Sequence, residues 1–454
     1  MKDHLTRRDL LSVGLSLAPV SLVPSSIFHA ATLGSSQAAP EVASAADIAA
    51  LVQYFHSHAR DLLRPAAGVL RHPSISPSLP RAVYSSDLWD WDTLWTARGL
   101  FELARRTDDA LLREQVAMHA QGSLTIFFDQ QSTDGRIPML ITEKEADPLG
   151  CLRGPRPHEK NQAKPVMAQL ALLIVEQTGA AEWMRVLMPK LQAFHASWTA
   201  DNMTRTGLLV WGDDVAIGND NDPTTFGRPY FSSANLLLNC FYHQDLQAAA
   251  ELSRRLGMTS LHTAYVHRAE ALSAAIHRHC WDARDEFFYT ADVQCKDRRA
   301  ELLPNLKPGM SMSWDSLQLR IRTFTGFLPM WCNITTPQQN AALARHLRDK
   351  TGLGANYGVR TLSAAEPMYS LAASSNPSNW LGPVWIIANY LVWSGLRKQG
   401  MHAEADAIAK STFSMLARDL HRSGSLNEYY HPDTGEGLSH KGFMDWNLLV
   451  LEMI

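Results

Sequence analysis

The chain has no surplus of basic charge: 42 Lys and Arg stand against 45 Asp and Glu, a formal net charge of -3. That balance leaves no cationic face for a phosphate backbone, so nucleic acid is excluded as an expected partner. Cysteine is scarce and scattered. Cys151, Cys240, Cys280, Cys295 and Cys332 are odd in number and form no C-x-x-C pair, which argues for buried small hydrophobes rather than disulfides or metal ligands. Strand-like runs are few. There is no G-x-S-x-G elbow, P-loop, H-E-x-x-H or G-x-G-x-x-G, which removes the common serine hydrolase, nucleotide, metalloprotease and dinucleotide readings. The 18 histidines do not cluster, and His56/His58 and His277/His279 stand two apart, on different faces of a helix. No metal and no organic cofactor are expected.

A long membrane-spanning run is also missing. Arg7 and Arg8 precede an apolar stretch from Leu10 to Val23 that is too short, and too broken by Pro19 and Pro24, for a stable span. A twin-arginine export signal is the expectation, with residues 1–39 as signal and unstructured segment and 40–454 as a single domain. Export of this kind makes the twin-arginine translocase a transient partner and the periplasm or the exterior the destination.

What is present is apolar content of 46%, ample for a sizeable core, and 13 Trp, which serve either as core or as platforms for sugar rings. Amphipathic helical periods cover 44–64, 92–107, 109–129, 161–178, 181–200, 232–256, 259–282, 336–350, 380–399, 402–420 and 440–453. Short turns alternate with long connections rich in Trp, Asp, Gly and Pro. The pattern predicts an all-α toroid of helical hairpins, with the long loops gathered on one face over a central funnel.

Four long loops hold the unusual chemistry. In YSSDLWDWDTLWTARGL (84–100), Asp87, Asp90 and Asp92 interleave with Trp89, Trp91 and Trp95. Asp92 reads either as a helix cap or as a sugar-hydroxyl ligand. RPHEKNQAKPVMAQ (156–169) brings Asn161, Gln162 and Lys164 to a helix entrance. LLVWGDDVAIGNDNDPTTFGRP (208–229) crowds Asp213, Asp214, Asp220 and Asp222 together but lacks the distal Glu of a calcium loop. Crowded, half-buried acids can keep one carboxyl protonated by repulsion and desolvation, with Arg228 as counter-charge to the others. SLNEYYHPDTGEGLSHKGFMDW (425–446) offers Glu428 and Glu436 as a second carboxylate.

As a set these loops resemble the inverting glycoside hydrolases of clan G, which include processing alpha-glucosidases (family 63), trehalases (family 37) and mannosylglycerate hydrolase-like enzymes. LWDWDTLW (88–95) is similar to the family's W-x-W-D-S segment at Trp91 and Asp92. NWLGPVWIIANYLVWSGLRKQG (379–400) is similar to Y-W-R-G-P-V-W-I-P-I-N-Y-L at Trp380, Gly382, Pro383, Val384, Trp385, Asn389 and Tyr390. LNEYYHPDTGEGL (426–438) resembles F-E-N-Y-D-P-x-T-G-E-P-L, and GNDNDP (218–223) resembles G-M-D-N-S-P.

The resemblance implies an (α/α)6 barrel and an inverting glycosidase on a carbohydrate substrate, with Asp220 as general acid and Glu428 as general base. It implies Trp91, Trp380 and Trp385 in the funnel wall and Asp92, Gln162 and Lys164 as hydroxyl ligands, and it adds Asn221 and Arg228 to the substrate site. Two departures stand out: Ala216-Ile217 replaces the Glu-Ser that begins the acid motif, and Leu381 replaces an arginine. A carbohydrate-binding toroid that has lost catalysis, and a polysaccharide lyase or epimerase on the same fold, are the rivals.

Overall fold

The computed structural model describes residues 43–295, 314–372 and 377–453. The twin-arginine stretch and the rest of segment 1–39 lie outside them.

Eleven α-helices occur among the described residues: α1 Ala45–His58, α2 Asp90–Arg106, α3 Ala110–Asp129, α4 Met167–Thr178, α5 Met188–Asn202, α6 Leu236–Arg255, α7 Thr259–Cys280, α8 Leu328–Trp331, α9 Pro337–Arg348, α10 Ile386–Lys398 and α11 His402–Ser423. A final 3-10 segment runs from Trp446 to Met453. In sequence order α2, α4, α6, α8, α10 and this segment each pack on the next, and the segment packs back on α2, which closes an inner ring of six. Outside it, α3 backs α2, α7 backs α6, α11 backs α10, and α1 packs on α11. The result is an (α/α)6 barrel. Strands are two or three residues long, as in Asp87–Trp89 against Leu140–Thr142 with Leu88 opposite Ile141.

Helix starts follow from local chemistry. Ser44 accepts the Asp47 amide (3.2 Å) while Asp47 accepts that of Ser44 (2.8 Å), and Thr336 and Gln339 repeat this reciprocal cap on α9. Asn235 accepts the amides of Leu237 and Leu238 and so begins α6.

Several expected helices start late for equally local reasons. α4 begins at Met167 rather than 161, because Pro165 has no amide and that of Lys164 is engaged by Asp90 (2.6 Å). α5 begins at Met188 beside Pro189. α10 begins at Ile386, since Val384 pairs with Tyr430. The helix expected over 440–453 is instead a loop followed by the 3-10 segment, and α8 carries no clear period because it is four residues long.

The core is continuous from α1 to the closing segment. All five cysteines are unbridged and four are buried. No helix among the described residues is long and apolar enough to cross a membrane.

One buried polar network ties α5, α6 and α7 together. His195 meets Asp245 through Nε2 (2.7 Å) and Tyr265 through Nδ1 (3.0 Å), and Asp245 also accepts the Gln169 amide (3.0 Å). Asp245→Ala strands the buried His195 imidazole and the half-buried Gln169 amide and is expected to cost roughly 2–4 kcal/mol, read as a lowered urea midpoint with an unchanged slope. An unshifted midpoint would show the network to be dispensable.

Candidate active site

The chain entering α2, α4, α6, α10 and the closing segment converges on one face. There it encloses a cavity of about 580 Å³. Trp89, Trp91 and Asp92 enter it from the start of α2, Lys164 from the loop before α4, and Gly218 and Asp220 from the loop before α6. Trp380 and Trp385 come from the segment before α10, and Glu428 and Trp446 from the last loop. Thr142, Glu143, Lys144 and Glu145 also line it.

Its floor rests on Asp90, fully buried at the first residue of α2. One Asp90 oxygen accepts the Trp91 amide (2.7 Å) and the Lys164 ammonium (3.1 Å), and the other accepts the Lys164 amide (2.6 Å). The ammonium also lies 4.9 Å from the centre of the Trp91 ring. Gly218 closes down on this pair. Its φ is +82°, and a Cβ there would stand 2.4 Å from Lys164 Cε and 3.0 Å from Trp91 Cζ2. Only glycine fits both the backbone conformation and the space.

The acid-rich loop is held by its own side chains. Asp222 accepts Asn219 Nδ2 (2.5 Å), the Thr224 amide (2.8 Å) and Asn235 Nδ2 (3.4 Å), and burial raises its pKa. Asn221 accepts the Trp380 amide (2.6 Å) and donates to Asn379 Oδ1 (3.2 Å), so it joins this loop to the segment before α10. Asp220, between Asn219 and Asn221, is the carboxylate of the loop that lines the cavity.

Glu428 is anchored through its backbone. Its amide donates to the Ser439 carbonyl (3.0 Å), and its carbonyl accepts Trp446 Nε1–H (3.0 Å). Its Oε2 hydrogen-bonds Nδ1 of His440, and the carboxylate raises the His440 pKa. Trp380 stacks on Trp385 at 3.9 Å and 15°, and Trp385 on Tyr429 at 4.8 Å.

Of the ten residues assigned to the site from the sequence, seven therefore line one cavity: Asp220, Glu428, Trp91, Asp92, Lys164, Trp380 and Trp385. Three stand outside its lining. Gln162 accepts from Ser197 Oγ (2.9 Å), Asn221 bridges loops as described, and Arg228 pairs with Asp292 instead of an acid of its own loop. Asp213 is taken by Asn161 Nδ2 (2.7 Å) and Asp214 by the Gly227 amide (3.1 Å). Asp92 does not cap its helix, which starts two residues earlier. Glu436 pairs with Arg422 in the exposed turn. Ala216 and Ile217 are fully buried. Among the described residues no group of three His, Cys, Asp or Glu could hold a metal ion.

Sequence reasoning passed over Asp445. It is fully buried and accepts Thr96 Oγ1–H (2.9 Å). Burial, then the Asp92 charge, lifts its pKa well above the usual carboxylate range, and burial raises Asp92 likewise.

A toroid of helical hairpins with two carboxylates and stacked indoles in one cavity at its loop end is the architecture of a glycoside hydrolase. Residues 85–444 match the Mannosylglycerate hydrolase MGH1-like glycoside hydrolase domain, and the chain belongs to that family. It is 30% identical over 146 residues to the mannosylglycerate hydrolase of Thermus thermophilus, a stretch covering 32% of each chain. It is 29% identical over 115 residues to mannosylglycerate hydrolase MGH1 of Selaginella moellendorffii, covering 25% of this chain and 21% of that one. The aligned stretches thus span about a third of the Thermus relative and about a fifth of the Selaginella one. In structure, a GH63 mannosylglycerate hydrolase from a second Thermus thermophilus strain, solved in complex with glucose, superposes with a TM-score of 0.63 at 21% identity, over 89% of this chain and 98% of that one.

Two outcomes follow for the site. Gly218→Ala is expected to cost roughly 1–3 kcal/mol from the left-handed backbone and the clash with Lys164, measured by urea unfolding. The raised folded pKa values of Asp92 and Asp445 mean that the protonated pair contributes its stability below about pH 4 and loses it as pH climbs through those values. Asp445→Asn is expected to flatten the fall in melting temperature between pH 5 and 8. An equal slope in parent and variant would count against the pair.

Proposed function

We propose that the protein is an exported inverting glycosidase acting on alpha-linked small oligosaccharides or glycosides. The observation that carries this is the lining of a single cavity by Asp220 and Glu428, from two loops the resemblance had singled out, among Trp91, Trp380 and Trp385. In the proposed reaction Asp220 gives its proton to the glycosidic oxygen as the bond to the anomeric carbon breaks. Glu428 takes a proton from a water that attacks that carbon from the opposite face, so the anomeric configuration inverts. Such a pair works at a separation of roughly 6.5–9.5 Å, which leaves room for the water.

Asp92 supplies hydroxyl contacts and the indoles an apolar wall. Lys164, whose ammonium is already committed to Asp90, acts chiefly by shaping the floor. Substrate names among the relatives, mannosylglycerate above all, point to a short glycoside rather than a polymer. The twin arginines support passage through the twin-arginine translocase to the periplasm or beyond.

A second reading, a toroid that binds sugar without cleaving it, is favoured by the apolar, buried Ala216-Ile217 where the family's acid motif has Glu-Ser. Hydrolysis of a panel of alpha-linked disaccharides and glycosides, with the product anomer followed by proton NMR, decides between the two. Asp220→Asn and Glu428→Gln are each expected to lower kcat by about 10²–10⁴-fold while sugar binding and melting temperature stay near the parent's. Parental hydrolysis in both variants would refute the assignment, and a parent that binds but hydrolyses nothing in the panel would establish the second reading.

A further inference from the structure

His440 is not among the residues lining the cavity, yet its imidazole Nδ1 sits on Oε2 of Glu428. The backbone is strained to put it there. His440 has φ +39°, a left-handed conformation unusual for a residue other than glycine, of the kind that persists where its surroundings over-determine it. Those surroundings are explicit. One residue before it, the Ser439 carbonyl accepts the Glu428 amide (3.0 Å). Two residues after it, the Gly442 amide donates to Leu426 (2.9 Å) and the Gly442 carbonyl accepts the Leu79 amide (3.0 Å). The ring of Tyr84, itself part of the cavity lining, meets the imidazole edge-on at 5.6 Å and 83°. The turn 439–442 is thus clamped to the strand of chain that carries Glu428, with its one strained side chain aimed at that carboxylate.

We propose that His440 is a positioning residue for Glu428, orienting its carboxylate and, when protonated, keeping it ionised inside a site where only 3% of the glutamate surface is exposed. The inference rests on the reading of Glu428 as general base. A buried carboxylate tends to take up a proton, and a cation in direct contact opposes this. The effect is reciprocal, since the Glu428 charge raises the His440 pKa, first through the hydrogen bond and then through space, against a desolvation cost. Around His440, Glu428 supplies the charge and Tyr84 a neutral ring, and Lys441 follows it in the chain as an exposed residue; around Glu428, the buried Asp445 and the Tyr429 hydroxyl lie within electrostatic reach. The acidic limb of activity, where the base is lost by protonation, therefore lies lower than it would without the histidine.

The test uses the full chain and the panel glycoside that the parent hydrolyses fastest. His440→Asn is the informative variant, because asparagine tolerates a left-handed backbone and returns an amide N–H near the Nδ1 position without the charge. His440→Ala is expected to lower kcat about 10–100-fold with KM within twofold, and His440→Asn to recover kcat at the pH optimum to within about fivefold of the parent. In both, the acidic limb of kcat/KM should move up by about one pH unit. A purely structural role would lower kcat through stability and leave the limb in place. The proposal falls if the limb of His440→Asn coincides with the parent's, or if asparagine recovers no more kcat than alanine. Glu428→Gln, run alongside, separates the two levels: if it hydrolyses normally the base assignment itself fails, whereas an inactive Glu428→Gln with unmoved His440 limbs sinks only the inference.

Discussion

The buried contact between Asp90 and Lys164 is the constraint on which the site depends. Removing two charges from water costs several kcal/mol per ion unless geometry and additional hydrogen bonds compensate. Here they do: the two Asp90 oxygens together receive the Lys164 ammonium, the Lys164 amide and the Trp91 amide. The contact joins the first inner helix to the loop before the second across 74 residues of sequence. It also presents the lysine stem and the Trp91 ring as the surface on which Gly218 lies. A smaller or longer side chain at either end would move that surface, and the acid loop with it.

Crowding of acids in residues 213–222 has a different explanation from mutual repulsion. Asp213 and Asp214 take neutral donors, Asp222 is the internal staple of its loop, and Arg228 is occupied elsewhere. A long loop with little hydrophobic period cannot be held by apolar burial, so its backbone donors must be satisfied by short polar side chains within a few residues. Asn and Asp serve that need. Most of the polar groups in the stretch are structural, and one carboxylate is left to face the cavity.

Much of this was legible in the sequence, and what was not has a common physical cause. Helical period, short turns and loop composition are local signals, so the hairpin order and the loop-end location of the site could be read directly. Helix starts drifted where a proline or a distant acid took the amide that would have begun the helix, as at Pro165 with Asp90. The resemblance placed Gln162, Asn221 and Arg228 at the substrate site, and no local signal shows the partners the structure gives them, Ser197, Asn379 and Asp292, which are 35 to 158 residues away. His440 and Asp445 escaped notice, and Asp90 was seen without its role, for the converse reason. Each acts through a partner far along the chain or a strained turn, and single-sequence spacing encodes neither.

The segment 379–385 explains how two loops so far apart in sequence can hold their carboxylates in register. Its Trp380 amide is bound by Asn221, one residue after Asp220, at 2.6 Å. Its Val384 exchanges both backbone hydrogen bonds with Tyr430, two residues after Glu428, at 2.8 and 2.9 Å. One short piece of chain, stiffened by the stacked Trp380 and Trp385, therefore carries both carboxylate loops. The spacing of the two groups is set by this bridge more directly than by the packing of the helices beneath. A helix as short as the four residues of α8 can therefore complete the ring, because the two carboxylate loops are tied to each other by buried hydrogen bonds and not through it.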